Sequence, residues 1–279
     1  MMVKGFNRSI SLPMNTKPKA RAAYHVRSVS LPCRSHPLIS NLEEQIRAVR
    51  SLAANSDNTS LAWIEAGLSQ IELLHVALND FLNLSETKTV LQQGTAMTDL
   101  LLDNLLHLVD SYGSLLSIVA TLKQQLFEVQ SALRRCDSTG LTCSLKSQKK
   151  TEKELSRLAS SLRASTKSLP LEFASDAKEA ETVGILKEVI YATSAASAVV
   201  FNRAVVVSAA ASTAAASSAS NKIMAFARKI SKEDKQMVDS EKLDELEECV
   251  KIVERMSEKV FRSLVNFRVS LLNIQSDSF

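Results

Sequence analysis

The stretch LLDNLLHLVDSYGSLLSIVATLKQQLFEVQSAL, residues 101–133, decides the fold class of this chain. Its apolar residues alternate by four and by three positions, and all ten positions of this 3.5-residue repeat are apolar. Such a repeat places the side chains along one seam of a long helix that packs against other helices. We name these residues the central seam: Leu101, Leu105, Leu108, Tyr112, Leu115, Val119, Leu122, Leu126, Val129 and Leu133.

A second repeat of the same kind runs through the C-terminal region, and only Ser257 among its ten positions is not apolar. We name it the C-terminal seam: Leu243, Leu246, Val250, Val253, Ser257, Val260, Leu264, Phe267, Leu271 and Ile274. Beside the central seam, four more apolar residues widen the buried face: Leu102, Leu106, Leu116 and Ile118. A face of this width is typical of the interior of a helical bundle rather than of a two-stranded rod.

Two shorter amphipathic patterns precede the central seam. The first begins at Leu38 and has the stripe Leu42, Ile46, Val49 and Ala53. The polar run 55–60 then offers capping chemistry for a second helix, whose stripe is Leu61, Ile64, Leu68, Ile71, His75, Leu78 and Leu82. A lone histidine on an apolar stripe predicts a buried, hydrogen-bonded side chain rather than a metal ligand, and Trp63 is expected to be a packing residue.

The connectors after the central seam are read from turn and breaker residues. Gly140 and its Ser and Thr neighbours indicate a turn, after which residues 149–165 are expected to form a helix. The run from Glu172 to Ala219 lacks proline and is compatible with either one long helix or two. Residues 232–235 are charged and are expected to form a connector. The inward residues of the helix 149–165 are Leu155, Leu158 and Leu162.

The composition agrees with an all-helical protein. The 279 residues include only six glycines and five prolines, and 5% are aromatic, which argues against β-sandwiches and barrels. Apolar residues make up 45% and charged residues 23%, so a core can form. We therefore expect an all-α fold, a bundle of long antiparallel helices with coiled-coil-like seams, over residues 38–279.

Residues 192–220 consist mainly of Ala, Ser, Thr and Val and raise the question of a membrane span. The apolar stretches 189–201 and 204–216 hold 13 residues each, fewer than the roughly 17–25 that a span needs. Joining them would place Arg203 near the bilayer centre, at a cost of about 2.5–3.5 kcal/mol. We expect a small-residue helix that packs closely inside the bundle and does not span a bilayer.

Residues 1–37 are expected to form a disordered basic tail. They contain four of the five prolines, and residues 1–40 carry seven Lys or Arg and no acid, a charge of +7. The other 239 residues carry 27 bases and 30 acids, so the body has a charge of −3. The charge of the body therefore gives no support for a surface that follows a nucleic-acid backbone.

The tail contains an internal repeat, RSISLP at 8–13 and RSVSLP at 27–32. Both copies resemble the pattern that 14-3-3 proteins bind once the second serine is phosphorylated. An Arg three positions before a Ser is what a basic-directed kinase recognises, and the phosphate adds charge and strong acceptors for an Arg cluster. The candidate phosphorylation and docking residues are Arg8, Ser11, Pro13, Arg27, Ser30 and Pro32.

No pattern for catalysis or for a cofactor is present. The chain lacks the glycine-rich nucleotide loops, the nucleophile elbow and the zinc-protease motif. Asp99, Asp103 and Asp110 share one helical face, which suits a solvated surface better than a metal site. The four cysteines form no C-x-x-C pair and are expected to be free, mostly buried thiols: Cys33, Cys136, Cys143 and Cys249. We expect neither an enzyme nor a bound cofactor or metal.

Several segments resemble the plant-specific BYPASS-like family. They are YHVRSVSLPCRSHPLISNLEEQI at 24–46, LSQIELLHVALNDFLNLSETKTVL at 68–91, EVQSALRR at 128–135 and KKTEKELSRLASSLR at 149–163. The Ala/Ser-rich segment 192–220 departs from that pattern. The resemblance implies an all-helical plant protein, linked to root and shoot development, whose biochemical activity is unknown and from which no catalytic residue can be transferred.

Three functions fit these observations. The first is a non-enzymatic, cytoplasmic interaction protein whose tail is regulated by phosphorylation, with 14-3-3 dimers and a kinase as partners. The alternative is a peripheral membrane protein that uses the basic tail and the segment 192–220, because each basic residue near an anionic surface contributes about 1 kcal/mol. The third reads the acid-free N-terminus as a transit peptide, against which its proline motifs and poor amphipathicity count.

Overall fold

The structure, a computed structural model, describes residues 36–54, 60–93, 96–165, 177–225 and 233–276. Within these ranges there are seven helices and no strand, which confirms the all-α fold class. The predicted disordered tail lies outside the described residues. The helices are α1 (Pro37–Ala54), α2 (Leu61–Leu82), α3 (Ser85–Leu91), α4 (Ala96–Arg135), α5 (Ser138–Ser165), α6 (Ala177–Ala225) and α7 (Glu233–Ser276).

The directions of the long helices follow from contacts between their polar side chains. Helix α4 is antiparallel to α5, because His107 meets Ser161 while Gln125, further along α4, meets Thr151. It is also antiparallel to α7, because its successive contacts with that helix, Lys123–Glu254 and Gln130–Glu247, run in opposite directions along the two chains.

Helix α2 joins this bundle as a parallel neighbour of α7. Three contacts advance together along both helices: Glu65–Arg255, Glu72–Lys259 and His75–Ser263. Helix α2 is antiparallel to α6, since Gly67 lies beside Val200 and His75 beside Thr193. In the order α4, α5, α6 and α7 the four long helices therefore alternate in direction, as predicted, so α4 and α6 run parallel across the bundle. The pair α2 and α7 consists of parallel neighbours and departs from the predicted pattern.

Both seams form the core. All ten residues of the C-terminal seam are buried, including Ser257, and nine of the central seam are buried while Leu133 at its end is half-buried. The stripes of α1 and α2 join the same core. Of the four residues expected to widen the central seam, Leu106 is 40% exposed, because it points away from the neighbouring helices.

The Ala/Ser-rich segment belongs to one continuous helix of 49 residues, which settles the choice between one helix and two. Its small residues Ala192, Ala196, Ser197 and Ala198 are fully or almost fully buried. A Cβ added at Gly67 of α2 would lie only 3.1 Å from Val200, which shows how closely the two helices approach. The prediction of a close-packed small-residue helix is confirmed.

The turn between α4 and α5 differs from its prediction. It lies at Cys136 and Asp137 rather than at Gly140, and α5 begins at Ser138, eleven residues before the predicted start. Cys136 has a left-handed φ of 55°, and the amides of Cys136 and Asp137 bond back to the carbonyls of Leu133 and Ala132. This Schellman motif ends α4 without a glycine.

Asp137 starts the next helix. Its Oδ1 accepts a hydrogen bond from the Gly140 amide at 2.9 Å, so Asp137 caps the N-terminus of α5. Gly140 lies beside this cap rather than in a loop, and a Cβ there would lie 2.4 Å from Asp137 Oδ2, so a larger residue would displace the capping carboxylate. Similarly, Ser60 caps α2 through the amide of Trp63. The predicted connector 232–235 is also wrong in part, since α7 already begins at Glu233.

Candidate functional site

The buried His75 lies between three helices. Its Nδ1 is 2.6 Å from Ser263 Oγ on α7, and its Nε2 is 3.2 Å from Thr193 Oγ1 on α6. Ser263 donates its proton to the backbone carbonyl of Val260, so it accepts from a protonated Nδ1 of the histidine. Nε2 then accepts from the Thr193 hydroxyl. Both ring nitrogens are hydrogen-bonded, as the sequence predicted for this position.

This arrangement does not activate Ser263 as a nucleophile. Burial lowers the pKa of His75 to about 4, so the ring is neutral at pH 7 and a weak base. The serine proton points to a carbonyl oxygen instead of the imidazole, and no carboxylate bonds to the ring among the described residues. The hydrogen bonds of His75 therefore join α2 to α6 and α7.

The same polar path continues from α6 to α4. Ser197 donates to the backbone carbonyl of Thr193 and lies 2.7 Å from the hydroxyl of Tyr112, which is fully buried and acts as the donor. Burial raises the pKa of the Tyr112 hydroxyl, which therefore stays protonated. The Tyr112 ring packs edge-on against Phe201 with centroids 5.5 Å apart. The Tyr112 hydroxyl therefore has a hydrogen-bond partner although it is buried in the central seam.

A second polar cluster joins α5 to α6. Glu152 accepts hydrogen bonds from Ser208 and Ser212, each at 2.8 Å, and Gln148 donates to Ser208. This cluster was not predicted, although Ser208 and Ser212 are four residues apart and lie on the face of α6 that also carries alanines. The cluster holds α5 and α6 together, since each of its polar side chains bonds to the neighbouring helix.

An open groove of mixed polar and apolar lining lies on the surface between the parallel helices α2 and α7. Two adjoining cavities of about 280 and 200 Å³ form it, and both are lined by Asn79 and Leu82 of α2. The α7 wall has a 3.5-residue repeat of polar side chains, namely Lys259, Ser263, Asn266, Ser270 and Asn273. No sequence signal marked this groove, because it depends on the parallel register of two distant helices.

The family model described as Protein BPS1 matches residues 67–274, about three quarters of the chain. The chain belongs to the BPS1 family. The predicted membership in the BYPASS-like family is thereby confirmed, and the matched region runs from α2 to α7. The first segment of the predicted resemblance, residues 24–46, precedes it. No curated protein and no solved structure is significantly similar to the chain.

Membership of the BPS1 family supports a role as a plant developmental regulator whose biochemical activity is unknown. Both polar clusters, around His75 and around Glu152, lie within residues 67–274. The open groove also lies within the matched region.

The predicted tail residues cannot be placed, since they lie outside the part of this BPS1 family member that the structure describes: Arg8, Ser11, Pro13, Arg27, Ser30 and Pro32. Asp99, Asp103 and Asp110 are exposed on α4. Within the described ranges, no group of three or more His, Cys, Asp or Glu side chains could hold a metal ion.

The prediction of mostly buried cysteines is wrong for the described residues. Cys136 and Cys143 are exposed, the first because it lies in the turn after α4 and the second because it lies on the outer face of α5. Cys249 alone among the three described thiols is buried, and burial raises its pKa to about 12. Cys33 lies outside the described residues.

Three described helical segments are long and apolar enough to cross a membrane, judged by length and composition alone: Leu61–Leu82, Thr98–Arg135 and Ala180–Ser217. Between 39% and 56% of their most apolar windows is buried inside the bundle. The two apolar stretches 189–201 and 204–216 were each predicted to be too short for a membrane span, but they lie in one continuous helix, α6, which is long enough. Arg203 lies over the Trp63 ring at 5.8 Å from its centroid, so its charge is matched by an aromatic face.

Proposed function

We propose that this BPS1 family member is a non-enzymatic, cytoplasmic interaction protein that acts in plant root and shoot development and is regulated through its N-terminal tail. The observation that carries this proposal is the repeat R-S-x-S-x-P at 8–13 and 27–32. One match to such a pattern is common in basic tails, but two matches within 25 residues favour a shared role. The coiled-coil-like bundle then serves as the body that the tail regulates.

Phosphorylation at Ser11 and Ser30 would create two binding sites on one chain. Each phosphate adds a charge of about −1.5 to −2 and three strong acceptors, which an arginine cluster can bind. The two serines are nineteen residues apart, so the connector has a root-mean-square reach of about 22–26 Å and a maximal reach of about 60 Å. This reach suits the two grooves of a 14-3-3 dimer, and bivalent binding strengthens association by roughly 10²- to 10⁴-fold.

The described body supports a non-enzymatic role through the use of its buried polar side chains. His75, Tyr112 and Glu152 each bond to a neighbouring helix, and the hydroxyl that contacts His75 donates to a backbone carbonyl. These groups are used to join helices. We therefore place the regulated chemistry on the tail and its partners and propose no cofactor or nucleic-acid ligand.

Calorimetry with tail peptides tests the proposal. Peptides of residues 5–36 are prepared without phosphate, with phosphate at Ser11 or at Ser30, and with both, and each is titrated with a 14-3-3 dimer. We expect no binding without phosphate and binding at least a hundredfold tighter with two phosphates than with one. Equal affinities of the singly and doubly phosphorylated peptides would exclude the bivalent mode, and absence of binding would exclude the partner.

A peripheral membrane role is the second candidate, and the charge of +7 in residues 1–40 favours it. At about 1 kcal/mol for each basic residue, the tail alone could bind anionic lipid in a salt-dependent manner. The helix that contains 192–220 contributes little, because it buries most of its small residues. Fluorescent fusions with and without residues 1–37 distinguish the candidates, since a lipid-binding tail moves the full chain to the membrane and its deletion releases it.

A further inference from the structure

Two charged faces of opposite sign have the same spacing along their helices. Four lysines of α5 lie at positions i, i+3, i+4 and i+7, and four acidic residues of α7 lie at the same relative positions. This spacing places each set on one face of its helix, over about 10 Å of the axis. We name them the basic ladder, Lys146, Lys149, Lys150 and Lys153, and the acidic ladder, Glu241, Asp244, Glu245 and Glu248.

The basic ladder has no counter-charge within the described part of the bundle. Its four lysines are exposed, and none of them takes part in an ion pair among the described residues. The one carboxylate between Lys146 and Lys153 belongs to Glu152, which bonds to two serines of α6 instead. Arg157 extends the same exposed face by one turn, so this face keeps a net positive charge even with the exposed Glu154 at its edge.

The acidic ladder is only partly neutralised by its own helix. Two lysines of α7 lie 2.6 Å from Glu245 and 3.9 Å from Glu248. Glu241 and Asp244 form no ion pair among the described residues. Residues 241–251 contain five acids and two lysines, so this stretch has a net charge of −3.

The two ladders lie on different sides of the bundle at similar heights. Gln125 of α4 bonds to α5 within the span of the basic ladder, and Gln130 bonds to Glu247 beside the acidic ladder. The two glutamines are about 7.5 Å apart along the axis of α4 and about 140° apart around it. One chain therefore cannot join its own ladders. Because α5 and α7 are both antiparallel to α4, a second copy in the same orientation brings its acidic ladder alongside the basic ladder of the first.

An exposed aromatic residue lies beside the acidic ladder. Phe127 of α4 is 62% exposed and shares a helical stripe with Lys123 and Gln130, both of which contact α7. It therefore lies at the edge between α4 and α7. An aromatic ring at this place can pack against the apolar stems of lysines and attract their ammonium groups. This edge thus offers a lysine-rich helix both opposite charge and an apolar contact.

We propose that the chain associates with further copies of itself, head to tail, through the basic ladder of one copy and the acidic ladder of the next. Each copy presents the two ladders on different sides, so the contact is heterologous and can continue from copy to copy. Exposed charge pairs are individually weak and are screened by salt, so the association is reversible and strongest at low ionic strength. The contact needs neither repeat of the tail and is independent of the proposed phosphorylation.

Sedimentation velocity of the full-length, unphosphorylated chain tests this contact. We expect concentration-dependent oligomers at about 0.05 M salt and monomers at about 0.5 M salt, because salt screens exposed charges. Reversal of either ladder should weaken association at least about tenfold, and a mixture of the two variants should associate again, since each reversed ladder meets its opposite. The variants are Lys146→Glu/Lys149→Glu/Lys150→Glu/Lys153→Glu and Glu241→Lys/Asp244→Lys/Glu245→Lys/Glu248→Lys.

A matched control reverses four exposed acids away from both ladders: Glu86→Lys/Asp99→Lys/Asp103→Lys/Asp110→Lys. It gains the same charge as the acidic-ladder variant but should associate like the unmodified protein. Phe127→Ala, which changes no charge, should weaken association at least about threefold. Circular dichroism checks that each variant is folded.

Four results would overturn the proposal. They are monomers at low salt, equal association of the ladder variants and the unmodified protein, equal loss in the control variant, and loss of association when residues 1–37 are deleted. The last would show that the basic tail occupies the acidic ladder. Binding of phosphatidylserine vesicles through the basic ladder by a chain that stays monomeric would assign that ladder to a membrane instead.

Discussion

At the scale of single residues, the polar groups inside the bundle determine how it responds to pH. His75 is buried and neutral, with a pKa lowered to about 4 from 6.5 because burial disfavours its charged form. The unfolded chain therefore binds a proton at a pH where the folded chain does not. The folded state therefore keeps the full contribution of neutral His75 to its stability above about pH 6.5. It loses this contribution as the pH falls toward 4.

We expect the free energy of unfolding to fall by about 2–3 kcal/mol between pH 7 and pH 4.5 through His75 alone. The variant His75→Leu removes this titration, so its stability should depend less on pH, although it is less stable at pH 7 because Thr193 and Ser263 lose a partner. Urea unfolding at both pH values measures the difference. Parallel pH dependences of the two proteins would show that His75 is not the titrating group.

The predicted burial was confirmed for His75 and was wrong for Cys136, and in both cases the position of the residue in the helical repeat explains the outcome. A residue inside a sustained stripe has its environment determined by the helix period, so burial of His75 followed from spacing. Cys136 lies where the period ends, and there the capping bonds decide its exposure and its left-handed backbone.

At the scale of helices, the tight connection between α4 and α5 shows how one residue serves two elements. Asp137 donates its amide to the end of α4 and accepts from the Gly140 amide at the start of α5. Gly140 was predicted to lie in a turn because glycine commonly interrupts helices. The structure places it inside the first turn of α5, where a side chain would displace the Asp137 carboxylate.

The variant Gly140→Ala should be less stable than Gly184→Ala by about 1 kcal/mol, because the Cβ added at Gly140 displaces the capping carboxylate and offsets the gain in helix propensity. Gly184→Ala is the matched control: it lies inside α6, and no neighbouring atom lies within 4 Å of the position that an alanine Cβ would take. Alanine there should stabilise the protein by about 0.5–1 kcal/mol. Thermal unfolding of both variants measures the effects, and a Gly140→Ala variant as stable as Gly184→Ala would contradict the capping role.

At the scale of the whole molecule, the two seams explain most of the fold. They predicted the long helices α4 and α7 and the bundle core, because a repeat of 3.5 residues requires partners along its full length. The parallel placement of α2 beside α7 could not be predicted, since it depends on ion pairs and hydrogen bonds between residues almost 190 positions apart. The tail motifs stay predictions that the described residues do not address.

The variant Leu115→Asp should unfold the bundle, because Leu115 is fully buried and an unpaired charge there costs several kcal/mol against a total stability of about 5–15 kcal/mol. Phe127→Asp on the same helix is the control, since Phe127 is 62% exposed and should tolerate a charge. Circular dichroism during heating compares them. Equal melting temperatures would mean that the central seam does not form the core.

The central claim, that phosphorylation of the tail controls a protein interaction, is tested most directly on the full-length chain. The chain is phosphorylated by a basic-directed kinase and titrated with a 14-3-3 dimer, beside the double variant Ser11→Ala/Ser30→Ala treated in the same way. We predict one chain bound per dimer for the phosphorylated protein and no binding for the variant. Equal binding of the two proteins, or no binding of either, would contradict the account.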